Sequence, residues 1–227
     1  MRILNVGVCG ATGRMGRELA QLEASQEALT AQPWRIAAEI HRGAPLVAPT
    51  GVDVWIDFSA PEATMGLIET AKRPIVIGTT GFSEAQRAEI LHHSEDYPVL
   101  MSGNMSFGIE VLRRMVRELP HPKRAVADVS IVEEHHRRKR DAPSGTAKMI
   151  EVDLREHGFS SVAMHSLREG GIIGVHRVRW VTESEEIEIT HRAFNRSVFA
   201  QGAVMAAEWL MTRQPGLYAI SDIWEDE

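Results

Sequence analysis

The sequence predicts an α/β fold made of a doubly wound parallel sheet and a second, smaller α+β part. Through the first half of the chain, short apolar runs alternate with helical patterns, which favours parallel strands joined by crossover helices. The second half contains two apolar stretches separated only by the polar link 182–184, which favours an antiparallel hairpin. A length of 227 residues is sufficient for one large or two small domains.

In the first half, five apolar runs are predicted to be strands: residues 3–9, 34–40, 52–58, 74–78 and 98–101. Helices are predicted after the first, third and fourth of them. The first helix has apolar residues at helical spacing, and the other two begin with capping-box pairs, Ser59 with Glu62 and Ser83 with Gln86. The connection 41–51 holds two prolines and two glycines, so we expect no full crossover helix there.

The second half is predicted to contain helices and strands in a mixed order. The predicted elements are a helix opened by Ser106, a strand at 125–134, a helix at 145–157, strands at 172–181 and 185–193, and a helix through 199–210. In the second strand of the hairpin, Ile187 and Ile189 alternate with glutamates, which predicts a sheet with one face in water. The last helix can belong to either part of the chain on this pattern.

Composition excludes several classes of protein. Hydrophobic residues make up 44% and charged residues 25% of the chain, as in ordinary globular proteins. The single cysteine, Cys9, cannot form an intrachain disulfide, and we therefore expect a cytoplasmic protein. A net charge of −6 argues against a nucleic-acid binder held by bulk charge. No apolar run approaches the ~18 residues of a membrane span, and no leader precedes the first predicted strand, so no membrane partner is expected.

A glycine-rich turn directly after the first predicted strand is the strongest early sign of a ligand site. Its sequence is Gly10-Ala11-Thr12-Gly13-Arg14-Met15-Gly16. Glycines allow the backbone to turn tightly and to approach a pyrophosphate, whose charge the following helix N-terminus attracts. The G-x-x-G-x-x-G spacing differs from the usual fingerprint, and a glycine turn can also serve packing alone. No lysine followed by serine or threonine comes after it, which argues against a P-loop.

Glu39, near the end of the second predicted strand, is a candidate ligand for the ribose of a dinucleotide. It follows Gly16 by 23 residues, and a carboxylate at this place can accept hydrogen bonds from the ribose hydroxyls. His41 and Arg42 come next and could instead pair with a 2′-phosphate. A solvated strand end is the alternative, so the sequence leaves NADH against NADPH open.

Two further loops follow predicted strands, Gly78-Thr79-Thr80-Gly81 and Gly103-Asn104-Met105-Ser106. Loops at the carboxyl ends of parallel strands line the ligand crevice of an open α/β sheet. They are therefore candidates to present backbone groups and the Asn104 amide to a nicotinamide. Ordinary turns with a helix cap at Ser106 are the alternative.

Residues 133–147 form the densest group of chemically active side chains. His135 is suited to moving a proton near neutral pH, and Lys139 to donating to an anion. Residues 144–146 precede a helical pattern and offer backbone N–H groups to a carboxylate. The block fits a small anionic substrate, with a solvated loop or an RNA-contacting patch at the cations 137–140 as alternatives. The histidine spacing does not match H-E-x-x-H, so no metal is expected.

Two later segments are weaker candidates. Arg168 precedes a glycine-rich run and could reach a substrate or belong to a simple hairpin. His191 and Arg196 flank the possible return to the first part of the chain, where a salt bridge is as reasonable as a ligand contact.

These motifs together resemble the 4-hydroxy-tetrahydrodipicolinate reductase family, long called dihydrodipicolinate reductase, of bacterial lysine biosynthesis. The resemblance runs along nearly the whole chain, through the segments 10–16, 56–62, 77–82, 103–106, 135–147, 189–193, 199–203 and 215–218. The pattern E-H-H-x-x-K-x-D-A-P-S-G-T-A, which begins at Glu134, is the most specific of them.

The resemblance implies a homotetramer in which each chain has a Rossmann domain and an α+β domain for substrate binding and oligomerisation. The domains would be residues 1–106 with 196–227, and residues 107–195, so that the last helix returns to the first domain. NADH or NADPH would reduce the cyclic imine of a hydroxylated dicarboxylate to tetrahydrodipicolinate, with loss of water, in the diaminopimelate route to lysine. A non-catalytic NAD(P)H-binding sensor or scaffold of the same fold is the alternative function.

The resemblance also assigns residues to roles, position by position. It implies His135 as proton donor and acceptor and Lys139 as proton donor, with His136, Gly145 and Thr146 binding the substrate carboxylates. The implied cofactor residues are Gly10, Ala11, Thr12, Gly13, Arg14, Met15, Glu39, Gly78, Thr79, Thr80, Ser102, Gly103, Asn104 and Met105.

Three features depart from the family pattern. Glu110 stands where an asparagine is common, the connection 41–51 is short, and residues 224–227 differ from the usual apolar ending. These departures concern cofactor preference and efficiency, because none of them affects the implied catalytic residues.

Overall fold

The computed structural model describes residues 2–25, 30–44, 49–120 and 127–224. The chain forms two compact units, one of Met1–Met105 with Ser197–Glu227 and one of Ser106–Arg196. The α/β prediction is confirmed, since the first unit contains a parallel sheet and the second a smaller mixed sheet with helices. Within the described residues, no helix has the length and apolar character needed to cross a membrane.

The first unit is a six-stranded parallel sheet with helices on both faces. Its strands are β1 (Leu4–Cys9), β2 (Trp34–Ile40), β3 (Val54–Asp57), β4 (Ile75–Ile77), β5 (Pro98–Met101) and β10 (Gly216–Tyr218). Its helices are α1 (Arg14–Ser25), α2 (Pro61–Ala71), α3 (Glu84–Ser94) and α6 (Ser197–Leu210), followed by a short 3₁₀ helix at Ile220–Trp224. The strand order is β10-β5-β4-β3-β1-β2.

The central strands are apolar on both faces because both faces are covered. Every residue of β3 and β4 is buried, the pattern expected of a parallel sheet between helix layers. One core cluster joins the sheet to α1 and α6, and a second joins it to α2 and α3. The chain passes from β1 to β2 on one side and then to β3 on the other, so the strand order reverses beside β1. Ligands of open α/β sheets bind at the carboxyl ends of strands at such a reversal.

The second unit is a four-stranded sheet with two helices. It contains α4 (Phe107–Arg117), β6 (Asp128–His135), α5 (Gly145–Glu156), β7 (Ala163–Arg168), β8 (Gly174–Val181) and β9 (Glu186–Ala193). The order is β7-β6-β8-β9, with β6 and β7 parallel and the other pairs antiparallel. The predicted β8–β9 hairpin is therefore confirmed. Apolar residues of α4, α5 and one sheet face form its core.

Several predictions about individual elements need correction. Ser83 forms the predicted capping box with Gln86, but α2 begins after Ala60 without a side-chain cap, because the Ser59 hydroxyl donates to Asp57 instead. Glu186 and Glu188 of β9 are exposed as predicted, and Ile187 on the other face is also 42% exposed because β9 is an edge strand. The short strands β7 and β10 were not predicted.

Parts of three predictions lie outside the described residues. They are residues 125–126 of a predicted strand, residues 45–48 of the connection after β2, and residues 225–227 at the C-terminus. The described residues of that connection, 41–44 and 49–51, contain no helix.

Candidate active site

The glycine turn joins β1 to α1 through close backbone packing. Gly10 has a φ of +84°, and a Cβ atom there would lie 2.4 Å from the Phe58 carbonyl oxygen, so only glycine fits. A Cβ atom at Gly16 would lie 2.3 Å from the Ala11 carbonyl oxygen, which allows α1 to pack closely on the turn. The first N–H groups of α1 have no partner within the helix and carry its positive dipole end.

A cavity of about 720 Å³ opens beside this turn, where β1, β2 and β3 end. Its lining comes from three segments of the first unit: residues 9, 10, 12 and 13, residues 40–44, and residues 58–60, 62 and 63. Three of the predicted cofactor residues, Gly10, Thr12 and Gly13, therefore line the cavity. Ala11, Arg14 and Met15 belong to the same turn but do not line the cavity.

Glu39 is not part of the cavity lining, whereas the two residues that the sequence offered as alternatives are. His41 and Arg42 both line the cavity. The Glu39 carboxylate lies 3.6 Å from His41 Nε2, and both side chains are nearly half exposed. Glu62 contributes an acid on the side of the cavity formed by α2.

Asp57, the last residue of β3, is a fully buried carboxylate that joins the loops behind this cavity. It accepts hydrogen bonds from the hydroxyls of Thr64 at 2.5 Å, Thr79 at 2.8 Å and Ser59. Thr79 also accepts the backbone N–H of Ser59 at 2.8 Å. Burial raises the pKa of Asp57 above its ordinary range even though these donors, and the Cys9 thiol, act to lower it. Burial likewise raises the pKa of the Cys9 thiol to about 12.

The other predicted cofactor residues follow β4 and β5 at the same edge of the sheet. Gly78 and Thr79 continue from β4, with Thr79 buried and Thr80 exposed. Ser102 stabilises the next loop, Gly103–Met105, because its hydroxyl donates to the Asn104 carbonyl oxygen at 2.6 Å. The Met105 side chain is 1% exposed and belongs to the hydrophobic core, so only its backbone is available to a ligand.

In the second unit, His135 ends β6 with its imidazole fixed by a buried carboxylate. Its Nδ1 lies 2.5 Å from Glu133 Oε2, and a Cβ atom at Gly174 would lie 3.2 Å from its Nε2. Burial lowers the pKa of His135, and the nearby charges of Lys139 and Arg168 act in the same direction, while Glu133 opposes them. The ring is therefore neutral at pH 7, and Nδ1 carries the proton that Glu133 accepts.

Glu133 itself is held in its ionised form. Arg168 donates to both carboxylate oxygens, at 3.0 Å to Oε2 and 2.6 Å to Oε1. Burial alone would raise the pKa of Glu133, but hydrogen bonds from Arg168, Ser166 and His135 lower it to about 2. A carboxylate that is 0% exposed is stable as an ion only with such partners.

The loop that carries Lys139 lies against the loop that follows β7. The Arg168 guanidinium donates to the Asp141 carbonyl oxygen at 2.6 Å, and the Glu169 N–H donates to the His135 carbonyl oxygen at 2.8 Å. The Lys139 ammonium lies 2.9 Å from an Asp141 carboxylate oxygen.

Helix α5 begins close to Glu133 and His135 and carries two of the predicted carboxylate-binding residues, Gly145 and Thr146. Ser144 caps the helix, with its hydroxyl oxygen accepting the Ala147 N–H at 3.2 Å and lying 3.2 Å from His176 Nε2. Burial lowers the pKa of His176 to about 3, so this ring is neutral. Gly145, the first residue of the helix, is exposed, while Thr146 is buried and His136 half-buried.

Sequence reasoning missed three buried polar groups in these two units. Asp57 and His176 lie within apolar strand patterns, and Glu133 lies in the segment 133–147 without an assigned role. Val129 and Ile131 precede Glu133 at a spacing of two along β6, and this spacing was the available signal that Glu133 lies on the core face.

Glu110, the departure from the family pattern, accepts a hydrogen bond from Arg113 at 3.0 Å, and Arg113 also pairs with Asp153 at 2.6 Å. Among the described residues, no three histidine, cysteine or acidic side chains form a metal-binding group.

Comparisons with known proteins cover both units. A family model described as "Dihydrodipicolinate reductase, N-terminus" matches residues 4–105, and one described as "Dihydrodipicolinate reductase, C-terminus" matches residues 108–224. The chain is 38% identical over 231 residues to the 4-hydroxy-tetrahydrodipicolinate reductase of Bdellovibrio bacteriovorus, covering 98% of this chain and 97% of that protein. It is 38% identical over 253 residues to the enzyme of the same name from Wolinella succinogenes, covering 96% and 97%.

A solved structure has the same fold. It is the dipicolinate-bound dihydrodipicolinate reductase of Paenisporosarcina sp. TG-14, which matches with a TM-score of 0.75 and 22% identity over 98% of this chain and 100% of that one.

Proposed function

This chain belongs to the dihydrodipicolinate reductase family, and from that premise we propose which of its residues bind the cofactor, bind the substrate and transfer protons. It is an NAD(P)H-dependent oxidoreductase that reduces 4-hydroxy-tetrahydrodipicolinate to tetrahydrodipicolinate, with loss of water, in the diaminopimelate route to lysine. The observation that carries this conclusion is the match of both units to the two halves of one reductase family. No feature of the described residues favours the non-catalytic sensor.

The first unit is proposed to bind the cofactor, which supplies a hydride when bound. The residues fit such a group, because the turn at Gly10, Thr12 and Gly13 lines a cavity with room for a nucleotide. The turn 10–15 is proposed to hold the phosphates through backbone N–H groups. Gly78–Thr80 and Ser102–Met105 are proposed to face the nicotinamide with backbone groups and the Asn104 amide.

We propose a preference for NADPH over NADH. His41 and Arg42 line the cavity at the end of β2, the place where the adenosine ribose of a dinucleotide is expected, and a guanidinium binds a 2′-phosphate well. Glu39, which would favour the free ribose of NADH, lies beside His41 and outside the lining. Glu39 then lies beside His41 rather than meeting the ribose.

The second unit is proposed to bind the substrate and to move protons. The N–H groups of Gly145 and Thr146 at the start of α5, with His136, are suited to the substrate carboxylates. The neutral His135 has a free Nε2 lone pair and accepts or returns a proton. Departure of the hydroxyl group as water requires a proton, and Lys139 is the proposed donor. The exposed arginines at 137, 138 and 140 attract the dianion.

We also propose a cytoplasmic homotetramer. The face of the second sheet that does not pack on α4 and α5 carries Leu167, which is 41% exposed, among ion-paired side chains such as Arg177 and Glu188. Such a face is suited to self-association between copies of this chain. Sedimentation of the purified protein should give four chains per particle, and a monomer would contradict the proposal.

The function is tested by coupling the purified chain to the synthase that makes its unstable substrate and following oxidation of NADPH and NADH. We expect dicarboxylate-dependent oxidation of both cofactors, with a higher kcat/KM for NADPH. Arg42→Ala should abolish the difference between the cofactors by weakening NADPH alone. If neither cofactor is oxidised, the reductase assignment fails; if NADH is preferred and Arg42→Ala has no effect, only the cofactor proposal fails.

A further inference from the structure

We infer, on the basis of the proposed reductase function, that Glu133 is a positioning residue. It holds the proton-transferring imidazole of His135 and the carboxylate-binding start of α5 in a fixed position relative to each other. Its two carboxylate oxygens have different partners. Oε2 accepts from His135 Nδ1 at 2.5 Å, and Oε1 accepts the backbone N–H of Ser144 at 3.3 Å. One side chain therefore fixes two groups that must meet the same small substrate.

The carboxylate of Glu133 cannot rotate away from these partners. It is 0% exposed, and Arg168 donates to both of its oxygens as a fork, which fixes its plane. The same guanidinium donates to the Asp141 carbonyl oxygen, two residues after Lys139. Glu133 and Arg168 thus form a rigid pair between the ends of β6 and β7, next to the loop that carries Lys139.

For His135, the consequence is a single ring orientation and a single tautomer. An ionised carboxylate at Nδ1 retains the proton there and leaves Nε2 as the only basic atom. Nε2 faces Gly174, where a larger residue would crowd it. A neutral partner at position 133 would allow the ring to exchange tautomers, and the lone pair would then point to the wrong side for part of the time.

For helix α5, the consequence is a fixed first turn. Glu133 accepts the Ser144 N–H, and the Ser144 hydroxyl caps the helix and lies within hydrogen-bond distance of His176 Nε2. The following N–H groups, those of Gly145 and Thr146, keep the direction that a carboxylate needs. Loss of Glu133 should therefore weaken carboxylate binding as well as proton transfer.

The neighbouring residue Glu134 provides a matched control. It is the same residue type on the same strand, but alternation along β6 places it on the opposite sheet face. It is half-buried and lies 3.7 Å from Arg177. The same substitution at 134 removes an acid without touching His135 or Ser144.

The experiment compares Glu133→Gln, Glu133→Asp and Glu134→Gln in the full-length enzyme. For Glu133→Gln we expect kcat to fall by ~10²-fold, the lower range of a proton-transfer contribution. Calorimetry with pyridine-2,6-dicarboxylate should show about tenfold weaker binding, the effect of one lost hydrogen bond. NADPH affinity should not change. Because Glu134 lies on the sheet face proposed for self-association, the Glu134→Gln protein is first shown by sedimentation to have as many chains per particle as the wild-type protein. It should then match the wild-type protein in all three measurements.

The pH profile separates positioning from a structural role. The His135 ring is faced by Glu133 on its own strand, Lys139 in the next loop, Arg168 of β7 and His176 of β8. Of these groups, Glu133 raises the pKa of His135. Glu133→Gln should therefore shift to lower pH the limb of the kcat–pH profile that reflects the titration of His135. Glu133→Asp keeps the charge, and it should lower kcat while leaving that limb in place.

The ¹⁵N shifts of the His135 ring give a readout that does not need turnover. The wild-type ring should be the Nδ1–H tautomer, and Glu133→Gln should give a mixture. If Glu133→Gln does not fold, Glu133→Asp tests the inference through its kcat and through the position of the His135 limb in its kcat–pH profile. Equal kcat, dicarboxylate binding and ring shifts in Glu133→Gln and Glu134→Gln would overturn the inference. A wild-type enzyme without turnover would refute the proposed function, while the ring shifts and dicarboxylate binding would still test Glu133.

Discussion

Each unit of the molecule contains a fully buried carboxylate near the carboxyl end of an interior strand, and the two are stabilised in opposite ways. Asp57 in the first unit accepts hydrogen bonds from hydroxyl groups and a thiol, with no cation paired to it among the described residues, and burial raises its pKa. Glu133 in the second unit is paired with Arg168 and His135, which lower its pKa to about 2. Both are 0% exposed.

The difference matches the chemistry proposed for each unit. Asp57 lies behind a cavity proposed to receive phosphates, where a strong negative charge would repel the ligand, and hydroxyl donors spread its charge. Glu133 lies beside a ring that must exchange protons, where a permanent charge selects one tautomer. The first carboxylate therefore acts mainly as an acceptor that ties loops together, and the second acts through its charge.

The largest expected effect concerns the charged side chains of the second unit. Lys139→Ala should lower kcat by ~10²–10⁴-fold, because a positioned general acid contributes that much to a proton transfer. NADPH affinity should stay unchanged, since the cofactor is proposed to bind the first unit. Steady-state kinetics and a fluorescence titration measure the two quantities. Lys148→Ala, which removes an exposed lysine from α5, is the control, and a near-normal rate in Lys139→Ala would remove this residue from its role.

Arg168→Met should be the most destabilising change in the charged network. It leaves Glu133 buried without its cation, and breaking a buried pair in this way costs about 3 kcal/mol or more. Since the pKa of Glu133 is about 2 in the folded chain against 4.5 ordinarily, its stabilising contribution is present above pH 4.5 and lost as pH falls towards 2. The variant should lose this contribution at neutral pH.

Urea unfolding between pH 3 and 7, with hydrogen exchange of the β6 and β7 amides, measures the effect of Arg168→Met. Arg138→Met replaces an exposed arginine in the same unit and is the control. An Arg168→Met protein as stable as this control would show that the charge of Glu133 does not depend on its partner.

The sequence predicted the strands whose apolar residues are buried on both faces, because burial alone specifies them. Strand β7 was missed because it lies at a sheet edge and alternates exposed with half-buried residues, including His165, so its side chains carry little apolar signal. Glycine spacing and the His135–Thr146 block gave the main candidate residues. The partners that fix them, such as Arg168 for Glu133, lie 35 residues apart in the chain and come together only in the sheet.

Ser59 illustrates why local pattern was not sufficient. Ser59 with Glu62 and Ser83 with Gln86 have the same spacing, yet only Ser83 forms a capping box. A capping hydroxyl must choose among acceptors and donors within reach, and Ser59 has a buried carboxylate next to it. That carboxylate, Asp57, is buried because β3 is a central strand, which is a property of the whole sheet.

The smallest expected effect, and the sharpest test of the contrast between the two carboxylates, is that of Asp57→Asn. Asparagine keeps one carbonyl acceptor for Thr64 and Thr79, and its amide can donate to Ser59. The hydrogen bonds between position 57 and these three residues are therefore retained without the charge. Replacing a buried charge that has no cation by a neutral isostere removes a desolvation cost. We therefore expect the free energy of unfolding at pH 7 to change by less than ~1 kcal/mol.

The pH dependence of Asp57→Asn should have the opposite sign to that of the Glu133 network. The pKa of Asp57 is raised above 3.8, so its contribution to stability is present below pH 3.8 and lost as pH rises through the raised value. The variant has no such loss, and its stability relative to the wild-type protein should therefore increase from pH 4 to pH 7. Urea unfolding with hydrogen exchange of the β3 and α2 amides measures this, with Asp96→Asn, at an exposed site, as control. A loss of several kcal/mol at pH 7 would mean that Asp57, like Glu133, acts through its charge, and the contrast between the two units would fail.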